Sequence, residues 1–214
     1  MKKSREYIET ISNVFSKLPN DVRQHCLRTE KYVRILTRAF PELAAIYPGM
    51  TFLQLEKAMG YGGKCHDLGK TMCSNTLLHQ PEKLTSLEWK IIKSHSQRAV
   101  EILEEDQDFA KQEAIYKKIV TDCCLYHHER YGGSGYPKGM KAEEIPVSSQ
   151  IVAVCDVLDA LTSFRPYKKT MSFEQAMVQI TETEKDKFSP LVLERMKMCS
   201  DELRYICCTN RLRY

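Results

Sequence analysis

The chain has 214 residues, 43% of them apolar and 28% charged, with a formal net charge of +4. That suffices for one well-filled core of ordinary globular composition, or one domain with a short appendage. No apolar run approaches the ~20 residues that span a bilayer, the opening "MKKSREYIET" lacks the apolar stretch of an export signal, and no charge block or basic-aromatic stripe marks a nucleic-acid surface.

These features predict a cytoplasmic protein. The nine cysteines are odd in number and form no CxxC pair, and Cys26, Cys123 and Cys155 fall at apolar helical positions. They read as reduced structural thiols.

In chain order, residues 1–20 supply a short helical extension, with "LPND" turning into the next helix. From Asp21, the residues Val22, Cys26, Thr29, Val33 and Leu36 form an apolar stripe with His25 at its edge. "MGYGGKC" precedes His66 and Asp67. Its glycines let backbones approach closely, but each costs ~1 kcal/mol in a helix relative to Ala, so a distorted or shortened helix end is expected. Thr85 and Glu88 form a capping box. Behind them one stripe carries Glu88, Ile91, Ile92, His95, Ala99, Ile102 and Leu103. From Glu113 the same spacing brings round Tyr116, Ile119, Val120, Cys123, Cys124 and His127, and "HHERYGGSGYP" then reverses the chain. "SSQIVAVCDVLDALTS" reads as a buried helix interrupted by Asp156 and Asp159. "SFEQAMVQI" and "SPLVLERMKMCSDELRYI" supply two more, the second with Ser189 as N-cap and Pro190 at its first position. Strand alternation is missing, so the expected fold is an all-α bundle.

Histidines and aspartates recur on faces that otherwise point inward. A buried carboxylate costs several kcal/mol unless it is paired or holds a metal. Taken singly, a histidine on an apolar stripe is most often a hydrogen-bonded core residue. Several such groups on separate helices point instead to convergence. A His/Asp mixture suits Mn, Fe or Zn, whereas structural zinc favours thiolates.

"HDLGK" (66–70) followed by "HHERYGGSGYP" (127–137) resembles the HD-GYP family of metal-dependent phosphodiesterases, a branch of the HD superfamily. "PEKLTSLEWKIIKSH", "EEIPVSSQIVAVCDVLDALTSFRPYKK", "SFEQAM" and "FSP" match further family stretches in the same order, over roughly residues 20–200. The resemblance implies a single-domain HD-superfamily helical bundle over residues 21–214, behind the 1–20 extension. Its five-helix core would enclose a buried centre of two or three divalent ions, iron or manganese. The family's ligand positions fall here on His25, His66, Asp67, His95, His127, His128 and Asp156, with Asp67 bridging two ions. In trinuclear members an acidic residue lies one turn before the first histidine, and Asp21 stands there.

The activity implied is hydrolysis of cyclic di-GMP to pGpG, and in some members onward to GMP. Asp67 and Lys70 would be the catalytic residues. Arg165 and Lys168 match positions that contact substrate phosphates, and Gly135, Tyr136 and Pro137 would line the substrate pocket. From the length read here, no fused sensory domain is expected. A separate partner fits the family, whose GYP loop is linked to diguanylate cyclase domains. Departures from the family pattern include Gly132, Asn75 and Phe164 where Asp is usual, and Ser96 and Ala99 where Pro and Gly are usual. They touch loops around the pocket and spare every ligand. Two alternatives therefore stay open: a phosphohydrolase of another cyclic dinucleotide or nucleotide, and a catalytically silent domain that binds nucleotide or a partner.

Overall fold

The computed structural model describes residues 10–80, 82–163 and 170–211, and among these it contains helices and no strand. In chain order they are α1 (Ile11–Ser16), α2 (Asn20–Arg38), α3 (Leu43–Ile46), α4 (Phe52–Cys65) and α5 (Asn75–His79), with a 3-10 turn at Leu68–Met72 before α5. There follow α6 (Ser86–Lys93), α7 (His95–Glu105), α8 (Gln107–Ala110), α9 (Ala114–Tyr126), α10 (Val147–Thr162), α11 (Phe173–Val178), α12 (Pro190–Met198) and α13 (Ser200–Arg211).

Local chemistry sets many of these starts. Thr51, Thr85 and Ser172 each form a reciprocal capping box with Gln54, Glu88 and Gln175, so orphan amides at three helix ends are satisfied by side chains. Asp106 caps α8 through the amides of Asp108 and Phe109. Pro190 opens α12, where its missing N–H costs no hydrogen bond.

α4 packs between α2 and α9, and α10 lies across the same two helices. Their inward faces meet in a core that includes Leu36, Leu55, Met59, Ile151 and Leu158. A second apolar cluster joins Ile11 and Val14 of α1 to Cys65, Leu68, Leu103 and Val120. It lies under the His66–Asp67 step of the chain.

Three expectations are corrected. α4 runs unbroken through Gly60, Gly62 and Gly63 instead of ending early. A Cβ on Gly62 would stand 2.6 Å from the Cys123 sulfur, and one on Gly63 2.9 Å from Val33 Cγ2. The glycines thus let α4 press against α9 and α2, and that packing offsets their helix cost. The stripe from Thr85 to Leu103 is two helices, not one. Ser94 sits between them, its hydroxyl donating to Ile91 O, and Ile91 is left exposed while His95 turns inward. The segment after Pro190 likewise breaks at Cys199, between α12 and α13.

Candidate metal centre

Five helices deliver the expected ligand residues. His25 lies within α2 and Asp156 within α10, while His66, His95 and His127 stand at helix ends: the C-cap of α4, the first residue of α7 and the C-cap of α9. At an end, a ring can leave the helix face and still rest on the last turn.

Two groups form. His25, His66 and Asp156 make one, and Asp67, His95, His127 and His128 the other, with each group's ligand atoms within 4.8 Å of one another. In the first, His25 Nε2 lies 3.2 Å from His66 Nε2 and 3.2 Å from Asp156 Oδ1. In the second, His95 Nε2 lies 3.2 Å from each of His127 Nε2, His128 Nε2 and Asp67 Oδ1. Asp67 joins the groups, because its Oδ2 is 3.6 Å from His25 Nε2 and 3.5 Å from His66 Nε2.

The opposite edge of each ring fixes what these nitrogens carry. His66 Nδ1 donates to Gly63 O at 2.7 Å, His95 Nδ1 to Ile92 O at 2.6 Å and His127 Nδ1 to Cys124 O at 2.9 Å. A neutral imidazole whose Nδ1 donates presents a bare lone pair at Nε2. His95 and His127 therefore aim two lone pairs at each other across 3.2 Å. That contact is repulsive unless a cation lies near both. Asp67 Oδ1, fully enclosed, accepts no hydrogen bond, leaving a buried carboxylate oxygen short of a donor. Converging lone pairs around an orphaned carboxylate oxygen fit divalent metal ions, and the donor set contains no thiolate.

Electrostatics agree. Burial pushes His95 down to about 4 and holds His66, His127 and His128 below the ordinary histidine value, so these rings are neutral ligands in waiting. For His25 burial acts the same way, but hydrogen bonds to Asp156 and Asp159 outweigh it and raise the group to about 9. Burial would raise Asp67, yet Lys70 and the surrounding histidines hold it well below the usual carboxylate range. Lys70 Nζ donates to Asp67 Oδ2 at 2.6 Å.

Asp21 is not brought into either group. It is exposed, and its Oδ2 accepts from His79 Nε2 at 2.9 Å. Gly135 lies where a Cβ would meet the Glu129 Cα and the Arg130 amide at 2.4 Å, so the turn closes directly on the chain after His128. Tyr136 stacks on the His128 ring, 4.6 Å between centroids and 25° between planes, and Pro137 follows it exposed to solvent. Arg165 and Lys168 lie outside the described residues.

Sequence reasoning missed three residues. Asp159 is wholly buried and accepts from His25 Nδ1 at 2.8 Å. Arg28 clasps the same carboxylate through Nε and Nη2 at 2.7 and 2.9 Å. The spacing Asp156-x-x-Asp159 was the available signal, since it puts two carboxylates on one face of an apolar helix. Glu129, also buried, accepts the amides of Lys138 and Met140 at 2.7 and 3.0 Å and so folds the loop after His128.

Residues 53–192 match the model of the HD domain family. A cyclic di-GMP phosphodiesterase of Vibrio cholerae serotype O1 is 33% identical over 193 residues, 87% of this chain and 38% of that protein. The 3'3'-cGAMP-specific phosphodiesterase 2 of the same organism is 31% identical over 194 residues, 91% of this chain and 36% of its own length. The chain therefore spans little more than a third of these curated relatives. Among solved structures, a Bdellovibrio bacteriovorus HDG"Y"P protein superposes with a TM-score of 0.57 at 17% identity, over 91% of this chain and 56% of that one, which speaks to the fold. No helix among the described residues is long and apolar enough to cross a membrane. With the family model spanning the helices that carry most of the candidate ligand cluster, this chain belongs to the HD domain family.

Proposed function

We propose that the chain is a metal-dependent cyclic dinucleotide phosphodiesterase that opens cyclic di-GMP to pGpG, with GMP as the product of any second cut. One observation carries this reading: imidazole lone pairs converge on a buried, unpartnered oxygen of Asp67. Relatives named for cyclic di-GMP and 3'3'-cGAMP hydrolysis supply the substrate class. Residues 21–214 would form the catalytic domain, with 1–20 as an extension.

In this reading His25, His66 and Asp156 would hold one ion and His95, His127 and His128 a second, with Asp67 placed between the two groups. Iron or manganese suits the nitrogen and oxygen donors. Bound there, divalent ions lower the pKa of water and neutralise charge on a phosphoryl group. Lys70, fixed on Asp67 Oδ2, keeps a positive charge where the phosphate oxygens gain negative charge. Attack by water on phosphorus breaks one bond to a ribose 3′ oxygen and leaves the linear dinucleotide. Gly135, Tyr136 and Pro137 line the substrate side, Arg165 and Lys168 take substrate phosphates, and the GYP loop meets a diguanylate cyclase domain. A two-ion centre is the form proposed, because Asp21 is engaged by His79 at the surface. Core-packed thiols such as Cys26, Cys65, Cys123 and Cys155 suit a reducing compartment, and the proposed location is the cytoplasm.

The test is elemental analysis of protein purified without oxygen, with chromatography of products from cyclic di-GMP. About two Fe or Mn per chain and the appearance of pGpG are expected. Metal-loaded protein that leaves the substrate intact would overturn the reading. The 31% identity to a 3'3'-cGAMP-specific enzyme favours one alternative substrate, and turnover of the two dinucleotides side by side decides between them.

A further inference from the structure

His66, His95 and His127 each rest Nδ1 on a backbone carbonyl three residues earlier in their own chain segment. His25 is held differently. Its Nδ1 meets Asp159 Oδ2, 134 positions away on α10, at 2.8 Å. The same carboxylate takes Arg28 Nε at 2.7 Å on Oδ1 and Arg28 Nη2 at 2.9 Å on Oδ2. Arg28 follows His25 by three residues, so both lie on one face of α2. Asp156 addresses the other edge of the His25 ring, 3.2 Å from Nε2. One face of α10 thus grips the imidazole from both sides.

We propose that Asp159 and Arg28 are a positioning pair that confers metal affinity on the His25–His66–Asp156 group while leaving the His95–His127–His128 group untouched. The inference rests on the metal-dependent reading above. Three physical points support it. When a divalent ion takes the place of the Nε2 proton, a carboxylate on Nδ1 keeps the remaining proton on that side and makes Nε2 a stronger electron-pair donor to the metal. The planar guanidinium fork matches the carboxylate bidentately, so Asp159 cannot rotate away from His25. Arg28 also compensates a charge that is 0% exposed and would be costly alone. Without the pair, the His25 ring is free to turn or change tautomer. The rings fixed by backbone carbonyls have no such dependence.

The experiment is Mn(II) titration of metal-free full-length protein, wild type against Asp159→Asn, with thermal melting alongside. Two tight ions are expected in wild type. In the variant one should stay tight and the other weaken by about 10–100-fold, the usual effect of removing a carboxylate behind a ligating histidine. Two ions bound as tightly as in wild type would overturn the proposal. So would equal weakening of both ions with a lowered melting temperature, the mark of a general packing role. Should Asp159→Asn fail to fold, Arg28→Gln is titrated in the same way. It is expected to weaken one ion selectively by a smaller factor, and unchanged or equal affinities would again overturn the pair. Wild-type protein that binds no metal would instead refute the metal reading itself, so the two failures are distinct.

Discussion

Inside the candidate centre, three imidazoles are set by hydrogen bonds to backbone carbonyls three residues earlier in the chain; at its rim, side chains are set by contact with other side chains. His66, His95 and His127 follow the first pattern. Tyr136 follows the second, stacked on His128 with the Lys93 ammonium 5.0 Å over its ring. Lys93 also reaches toward Trp89, 5.9 Å from that ring and itself 47% exposed. Backbone-anchored geometry is fixed as soon as the helices form, whereas the rim can be altered without moving the ligands. Metal binding should therefore be robust to rim substitutions, and substrate choice should not be.

The largest effect should come from the one residue shared by both ligand groups. Asp67→Asn is expected to cut turnover by about a thousandfold, roughly 4 kcal/mol of transition-state stabilisation, with the helical circular-dichroism signal retained. Wild-type turnover in that variant would remove Asp67 from the centre. Gly62→Ala tests the scaffold beneath. Its Cβ would sit 2.6 Å from the Cys123 sulfur, and overpacking of this kind costs about 1–3 kcal/mol. Adding Cys123→Ala should recover part of that loss, because the two side chains compete for one space. Additive effects in urea unfolding would mean that the glycine serves another purpose.

Much of this was legible in the sequence. Helical spacing located α2, α9 and α10, and placed His127 on an inward face, His25 at the edge of one and Asp156 within a buried helix. What stayed hidden has physical reasons. Periodicity carries no mark of the break at Ser94, where one side-chain hydrogen bond to Ile91 O ends α6 and a new helix starts at His95. The cost of glycine in a helix suggested that α4 would fray, but that cost concerns an isolated helix, and here α2 and α9 use the missing side chains. The Asp159–Arg28 clasp joins residues 131 positions apart, so it exists only after α2 and α10 have packed. His95, His127 and Asp156 stand out in the sequence because they interrupt apolar stripes, and His66, Asp67 and His128 through the family resemblance, while the residues that support them look like ordinary helix charges.

Tyr136 sharpens the contrast at the rim. The His128 ring packs 4.0 Å from the His127 ring and 5.0 Å from His95 between centroids, and on its rim side it is covered by the stack with Tyr136. An aromatic pair is worth about 0.5–1.5 kcal/mol beyond its buried area. Tyr136→Ala should lower turnover by up to about tenfold while the metal content stays at the wild-type level. Tyr136→Phe keeps the ring face and should stay near wild type. If the two variants lose activity equally, the hydroxyl matters and the stack does not.

The smallest effect belongs to a tether remote from both regions. Asp106 accepts the Ile11 amide at 3.0 Å through Oδ2, while its Oδ1 takes the amides of Asp108 and Phe109. It therefore caps α8 and pins α1 onto the apolar cluster beneath the HD step. Burial would raise this carboxyl, but the three amide donors outweigh it and hold the group below its ordinary value. A depressed folded-state pKa gives stability that is complete above the unfolded value of about 3.9 and disappears as pH falls through the folded one. Asp106→Ala should then cost about 1 kcal/mol at pH 7, typical of a lost N-cap. The gap in melting temperature from wild type should hold level down to about pH 4 and narrow below it. A gap that stays constant into stronger acid would show that the carboxylate charge contributes nothing to the tether, and that Ala acts only through lost packing.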